Sequence, residues 1–143
     1  MSVAKVEMVG LDEFRAALRG MPQSLSQEAN AIITAHAEEA RRQVQAGYPE
    51  GETGNLRLGV TMAVQHSGAY GAFAQVRSRA KHAWIFENGT KARRTSKGYN
   101  RGSMPQPPAR QRMLPTVIAR RAQMVRALKA MLEQHGLLVR ETA

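Results

Sequence analysis

Few residues of this 143-residue chain could do acid–base or metal chemistry, and they lie far apart. Four histidines, His36, His66, His82 and His135, fall in different segments. None forms the H-x-x-x-H or H-E-x-x-H spacing that sets two imidazoles on one helix face around a metal. His36 lies on the inward-leaning face of a helical pattern, where a hydrogen-bonded boundary residue is expected rather than a ligand. A general-base role for His82 needs a carboxylate partner, and Glu87 is the candidate nearby. Glu38 and Glu39 are adjacent on a helix and so point different ways, which argues against a paired-carboxylate site. Gly47, Gly51 and Gly54 precede a strand pattern, not a helix N-terminus, and make no phosphate loop. Cysteine is absent, which excludes disulfides, thiolate nucleophiles and zinc–thiolate centres together. The expectation is a protein with no catalytic residues, no metal and no cofactor.

What remains is charge. From Arg79 to Arg112 nine Lys/Arg stand against one acid, Glu87, whereas residues 1–78 balance to −1. The net charge of +10 and a pI near 11.1 imply attraction to polyanions, whether nucleic acid, anionic lipid or an acidic protein surface. Within 91–112 Tyr99 is the sole aromatic, which argues against a single-strand binder that stacks bases. No helix-turn-helix, zinc-finger or basic-zipper pattern is present either.

The elements that must carry these residues can be read from periodicity. Val3 to Val9 alternates as a short strand, and Asp12 caps a short helix with Leu11, Phe14 and Leu18 on one face. A capping box, Ser24-Leu25-Ser26-Gln27, opens an amphipathic helix over about 24–45, stopped by Gly47-Tyr48-Pro49. Leu56, Leu58, Val60, Met62 and Val64 alternate with polar or small residues, which predicts a strand. A turn at 66–69 and a return strand over 70–77 complete a hairpin. Ala83-Trp84-Ile85-Phe86 is a strand end or a helical turn. Residues 91–104 lack periodicity, contain Gly98 and Gly102, and read as a flexible basic loop. Pro105, Pro107 and Pro108 impose an extended path. A last helix over about 113–135 tolerates Pro115 in its first turn. Leu137-Leu138-Val139 adds a terminal strand or docks on the core.

The fold class expected is α+β in one domain spanning 1–143. A small antiparallel sheet, built from the 54–77 hairpin and the N-terminal strand, is packed by the two long helices, and a basic loop spans about 91–104. The N-terminus alternates charge and shows no apolar run of the signal-peptide kind. No apolar run approaches the roughly 20 residues of a membrane helix, so a soluble protein is expected.

Several short motifs occur in a definite order. Gly10-Leu11-Asp12-Glu13-Phe14 precedes a helix, Tyr48-Pro49 ends the long one, and Thr53-Gly54-Asn55-Leu56-Arg57 opens the hairpin. Ala83-Trp84-Ile85-Phe86-Glu87-Asn88-Gly89-Thr90 follows, then Pro107-Pro108-Ala109-Arg110 before the last helix. Over roughly Gly10 to Gly136 this set resembles the neck and tail-completion proteins of tailed phages, typified by gene product ten of phage HK97. The resemblance implies a non-enzymatic structural virion protein of a tailed bacteriophage or prophage. Six copies would form a ring at the head–tail junction, as neck, tail terminator or tail completion, joining tail to head around the DNA channel. Its implied partners are further copies of itself and neighbouring connector, stopper, tail-tube or tail-terminator proteins, with loose contact to DNA and none to membrane. Assembly in the bacterial cytoplasm and residence in the virion follow from the same resemblance. The assembly arm and its hinge are expected at Trp84, Phe86, Glu87, Gly89, Thr90, Lys91, Arg93, Arg94, Lys97, Arg101, Pro107, Pro108 and Arg110. Thr53, Gly54, Leu56 and Arg57 form the motif where the strand begins. Gly54 and Gly89 suit positive φ, the Thr53 hydroxyl can cap its turn, and Glu87 is placed to pair with a cation or a backbone N–H. The alternative is a small basic nucleic-acid-binding protein that uses 91–112 as its contact surface.

Overall fold

The computed structural model describes residues 23–65, 73–105 and 111–136. In chain order their elements are helices α1 (Gln23–Gly47) and α2 (Asn55–Leu58), strands β1 (Val60–Gln65) and β2 (Phe73–Ser78), helix α3 (Ala83–Asn88), strands β3 (Thr90–Arg94) and β4 (Asn100–Met104), and helix α4 (Met113–Gln134). The architecture is α+β, with two long helices and two antiparallel two-stranded sheets. The expected N-terminal strand, the turn at 66–69, the proline path at 107–110 and the terminal 137–139 segment lie outside the described residues. No helix among those described is long and apolar enough to cross a membrane.

Helix α1 follows its sequence stripe: Leu25, Ala29, Ile33, Ala40 and Val44 recur at steps of four and seven and are buried. On the other side Arg41 grips Glu38 through two bonds of 2.6 and 2.9 Å. That hydrogen bonding, opposed by partial burial and helped by Arg42, holds the Glu38 carboxyl down at about 2. Helix α4 runs antiparallel to α1. Near its C-terminal end Leu128, Met131 and Leu132 close one core cluster with Leu25, Ala29 and Ile33. At mid-length Arg120 donates to Gln43 and Glu39 of α1, at 2.9 and 3.2 Å.

A second cluster lies at the other end of α1, where Val44 and Tyr48 meet Leu56, Val60, Ala83 and Phe86. The β1–β2 hairpin spans both clusters, with Ala74 packed on the first and Val76 on the second. Its register pairs Val60 with Ser78 and Gln65 with Phe73.

Two sequence expectations are corrected. The strand expected from Leu56 begins at Val60, because residues 55–58 form the helical turn α2. A strand would put Leu56 and Leu58 on one face, but Leu56 is buried and Leu58 is 71% exposed. Gly54 turns the chain at φ 63, and Leu58 N–H and Gly59 N–H close the turn on the carbonyls of Gly54 and Asn55. The loop expected over 91–104 is the hairpin β3–β4. Ser96-Lys97-Gly98 makes its three-residue connection, with Gly98 at φ 82 and the Gly98 N–H bonded to Thr95 O. Two register shifts erase any period of two along β3, so hydrophobic patterning could not reveal it.

Candidate functional site

Three of the ordered motifs, Tyr48-Pro49, Thr53–Arg57 and Ala83–Thr90, converge on one place, the polar edge of the second cluster. Tyr48 follows the last turn of α1 and is 1% exposed, with its ring edge-on to Phe86 at 5.3 Å between centroids. A buried phenol needs a partner for its hydroxyl. Tyr48 OH donates to Glu87 Oε1 at 2.6 Å. The same oxygen accepts the Met113 N–H at 3.0 Å, and Oε2 accepts the Arg112 N–H at 2.9 Å. Glu87 thus caps the start of α4 from another element, with its negative charge at the positive end of the helix dipole. Of the two roles open to Glu87 in the sequence, the backbone N–H is the one adopted.

The opposite polarity is handled at the end of α1. Arg57 Nε donates to Tyr48 O at 2.6 Å, and Arg112 Nε donates to Gly47 O at 3.3 Å. Two guanidinium groups therefore cover carbonyls at a helix C-terminus, where cations are favoured. Gln45 ties the other side by donating its amide to Arg57 O at 3.1 Å. The Asn55 N–H reaches Thr53 Oγ1 only at 3.5 Å, so that expected cap is weak. Gly89 ends α3 at φ 69 and ψ −177, a backbone region open essentially to glycine alone, and feeds directly into β3.

Burial, then the hydrogen bond to Glu87 and its charge, push the Tyr48 phenol well above its ordinary value of 10.0. Tyr48 therefore stays a donor while a tyrosine in the unfolded chain ionises near pH 10. The unfolded state loses its proton first, so stability is full below about pH 10 and falls as pH rises above it. Urea midpoints compared at about pH 8 and pH 11 should show this loss, and Tyr48→Phe should remove the part belonging to this group. An equal alkaline loss in both proteins would reject the assignment.

From this hub the β3–β4 hairpin projects as an arm. The arm packs chiefly on itself, and Met104 ties its base to the second cluster. Thr90 pairs with Met104 and accepts its N–H at 3.3 Å. The first bulge sets Arg93 opposite Gly102, on the Met104 face, where Arg93 Nε is buried with no partner among the described residues. Strand alternation puts Arg101 on the other face. Lys91, Arg94, Lys97, Tyr99 and Arg101 are exposed.

The expected site residues therefore divide in two. Gly54, Leu56, Arg57, Phe86, Glu87 and Gly89 belong to the hub, where Phe86 at 8% exposure is a core residue and no contact surface. Lys91, Arg93, Arg94, Lys97 and Arg101 belong to the arm, with Thr90 at its root, and Trp84 is 63% exposed on α3 between the two. Pro107, Pro108 and Arg110 lie outside the described residues. Tyr48, Gln45 and Arg112 enter the hub without having been singled out as site residues. The signal available for Tyr48 was a tyrosine directly after an amphipathic helix, which must bury its ring and satisfy its hydroxyl.

Both Glu87 oxygens are engaged, and exposed His82 contributes only its carbonyl, which accepts the Phe86 N–H at 3.0 Å. No group of three His, Asp or Glu among the described residues could hold a metal ion. No family model, curated protein or solved structure matches the chain.

Proposed function

We propose that this chain is a non-enzymatic connector subunit of a tailed phage or prophage, assembling as a closed ring of identical copies at the head–tail junction around the DNA channel. The observation that carries this reading is the convergence of the three ordered motifs that lie among the described residues. Tyr48, Arg57, Phe86, Glu87 and Gly89 form one hub that fixes where α1 ends, where α4 begins and where a charged arm departs. A subunit that reaches a neighbour through a projecting element needs that element rooted rigidly, and the hub supplies the root.

Exposed apolar groups add support. Leu114, Ile118 and Val125 lie along one side of α4, and all three are at least 44% exposed. Exposed Trp84 on α3 is a further candidate contact. Apolar surface of this kind marks contact sites, and a head-to-tail interface that closes by rotation uses two different patches of each copy.

Negative-stain electron microscopy of the purified full chain, and of the particles it belongs to, tests the reading. Closed rings, placed on the particle axis, are expected. A dispersed monomer absent from particles would sink it. The cation-rich arm favours a second reading, a monomeric nucleic-acid binder. Tight DNA binding at physiological salt by a chain that never forms rings would establish that alternative.

A further inference from the structure

The charge of the arm is organised in a way the sequence did not disclose. Five cations, Lys91, Arg93, Arg94, Lys97 and Arg101, sit on one ordered hairpin that carries no acid. None of their side chains has a hydrogen bond or ion pair among the described residues. Five other described guanidinium groups are engaged: Arg41 and Arg42 by Glu38, Arg57 by Tyr48 O, Arg112 by Gly47 O and Arg120 by Glu39. Strands of five residues extend about 17 Å, and the turn at Lys97 lengthens the ribbon further. Unpaired positive charge is thus spread along both strands and the tip of a narrow projecting element.

We infer that the β3–β4 arm is a sequence-independent contact for the phosphates of duplex DNA. For DNA as the particular polyanion this rests on the connector reading above; the geometry itself calls for a repeating anion. Three observations favour phosphates over a second copy of this chain. Cations on both outer edges of an isolated hairpin repel a like arm and discourage strand pairing. The strand partner a second copy could offer, the β1–β2 hairpin, carries Arg77 and no acid, so it presents no complementary charge. The arm's one aromatic, Tyr99, is too little to stack successive bases of a single strand. A two-stranded ribbon is also narrow enough to lie in the major groove of a duplex. Contacts of this kind position DNA without reading its sequence, as suits DNA that must slide through a channel.

The test is a salt titration of the full chain with a random-sequence duplex of about 30 base pairs, read by fluorescence anisotropy. In the arm variant K91Q/R94Q/K97Q/R101Q four exposed cations are neutralised. A control, R77Q/R79Q/R121Q/R126Q, removes four cations elsewhere. Each phosphate contact contributes about −0.9 to the slope of log K against log salt, so these four arm cations account for a ~150-fold loss of affinity between ~50 and ~200 mM salt. That dependence should vanish in the arm variant and persist in the control. Equal loss in both variants, or loss in neither, would overturn the proposal. It also falls if the arm variant keeps its DNA affinity but no longer self-associates, since the arm would then be a protein contact. Sedimentation of the same samples keeps the two readings apart: a wild-type chain that binds through the arm yet forms no ring counts against the connector and leaves the arm's role standing.

Discussion

Replacing Glu87 by alanine is expected to destabilise the chain by roughly 3–4 kcal/mol, which would be a large share of the 5–15 kcal/mol typical of a folded domain. Three donors lose their acceptor together: the hydroxyl of Tyr48 and the backbone N–H groups of Arg112 and Met113. Hydrogen bonds to a charged group are each worth about 1.5–3 kcal/mol, and a lost helix cap about 1 kcal/mol. The contributions share one carboxylate and do not add fully. The larger part of the penalty is the Tyr48 hydroxyl, which loses its acceptor beside Phe86. Glu87→Gln keeps one acceptor oxygen and should recover about half of the loss. Urea unfolding of the three proteins measures this. A change below about 1 kcal/mol in Glu87→Ala would mean that the start of α4 is set elsewhere. The substitution should leave the salt slope of DNA binding almost untouched, because it adds and removes no cation on the arm.

The second large effect is at Gly59, a position with nothing unusual in its backbone, at φ −71 and ψ −16. Any residue could adopt that conformation. A Cβ there, however, would fall 2.8 Å from Ala80 N, 2.9 Å from Asn55 O and 3.0 Å from the Ala80 Cβ. The first two of these atoms are backbone and cannot rotate aside. The neighbouring Arg79 N–H to Gly59 O bond, 2.8 Å long, would be strained by any separation of the two segments. Gly59→Ala is therefore expected to cost about 2–3 kcal/mol through overpacking, against a conformational gain of under about 1 kcal/mol. Gly54→Ala provides the contrast. Its Cβ would meet only Leu58 Cδ1 at 3.8 Å, so the penalty is the left-handed backbone alone, about 1–2 kcal/mol. Denaturant midpoints that rank Gly54→Ala as the more damaging would contradict the close approach of α2 to residue 80. The pair separates two reasons for a glycine that look identical in a sequence.

Helices α1 and α4 were legible from one-dimensional pattern because each carries apolar residues at helical spacing, although α4 buries its share only near its C-terminal end, at Leu128, Met131 and Leu132, and leaves Ile118 and Val125 exposed. The positive φ of Gly54 and Gly89 was legible for a similarly local reason, since each lies where an element must start or stop. Residues 55–58 misled. Leu56 and Leu58 satisfy the strand period, yet a left-handed Gly54 and two short-range carbonyl bonds win over that period. The arm was hidden because its bulges break the alternation and its side chains are largely exposed, so no apolar pattern was required of it. Ser96-Lys97-Gly98 between two polar runs was the remaining clue.

Glu87 shows where reading by composition stops. As the lone acid in a basic segment it could pair with a cation or a backbone N–H, or stand as an ordinary surface acid, and the sequence did not choose between pairing and exposure. Its partners stand 39 residues before it and 25–26 after it, and only packing of α1 against α3 and α4 brings them within 3.0 Å. The amino-acid order by itself determined the local matters: two amphipathic helices, a hairpin between them, the absence of thiol chemistry and a block of positive charge. The tertiary structure decided that three of the ordered motifs form one hub and that the charge rides on a projecting ribbon. Periodicity records which side of an element is buried. It carries no record of which distant backbone group a single polar side chain will meet once the elements pack.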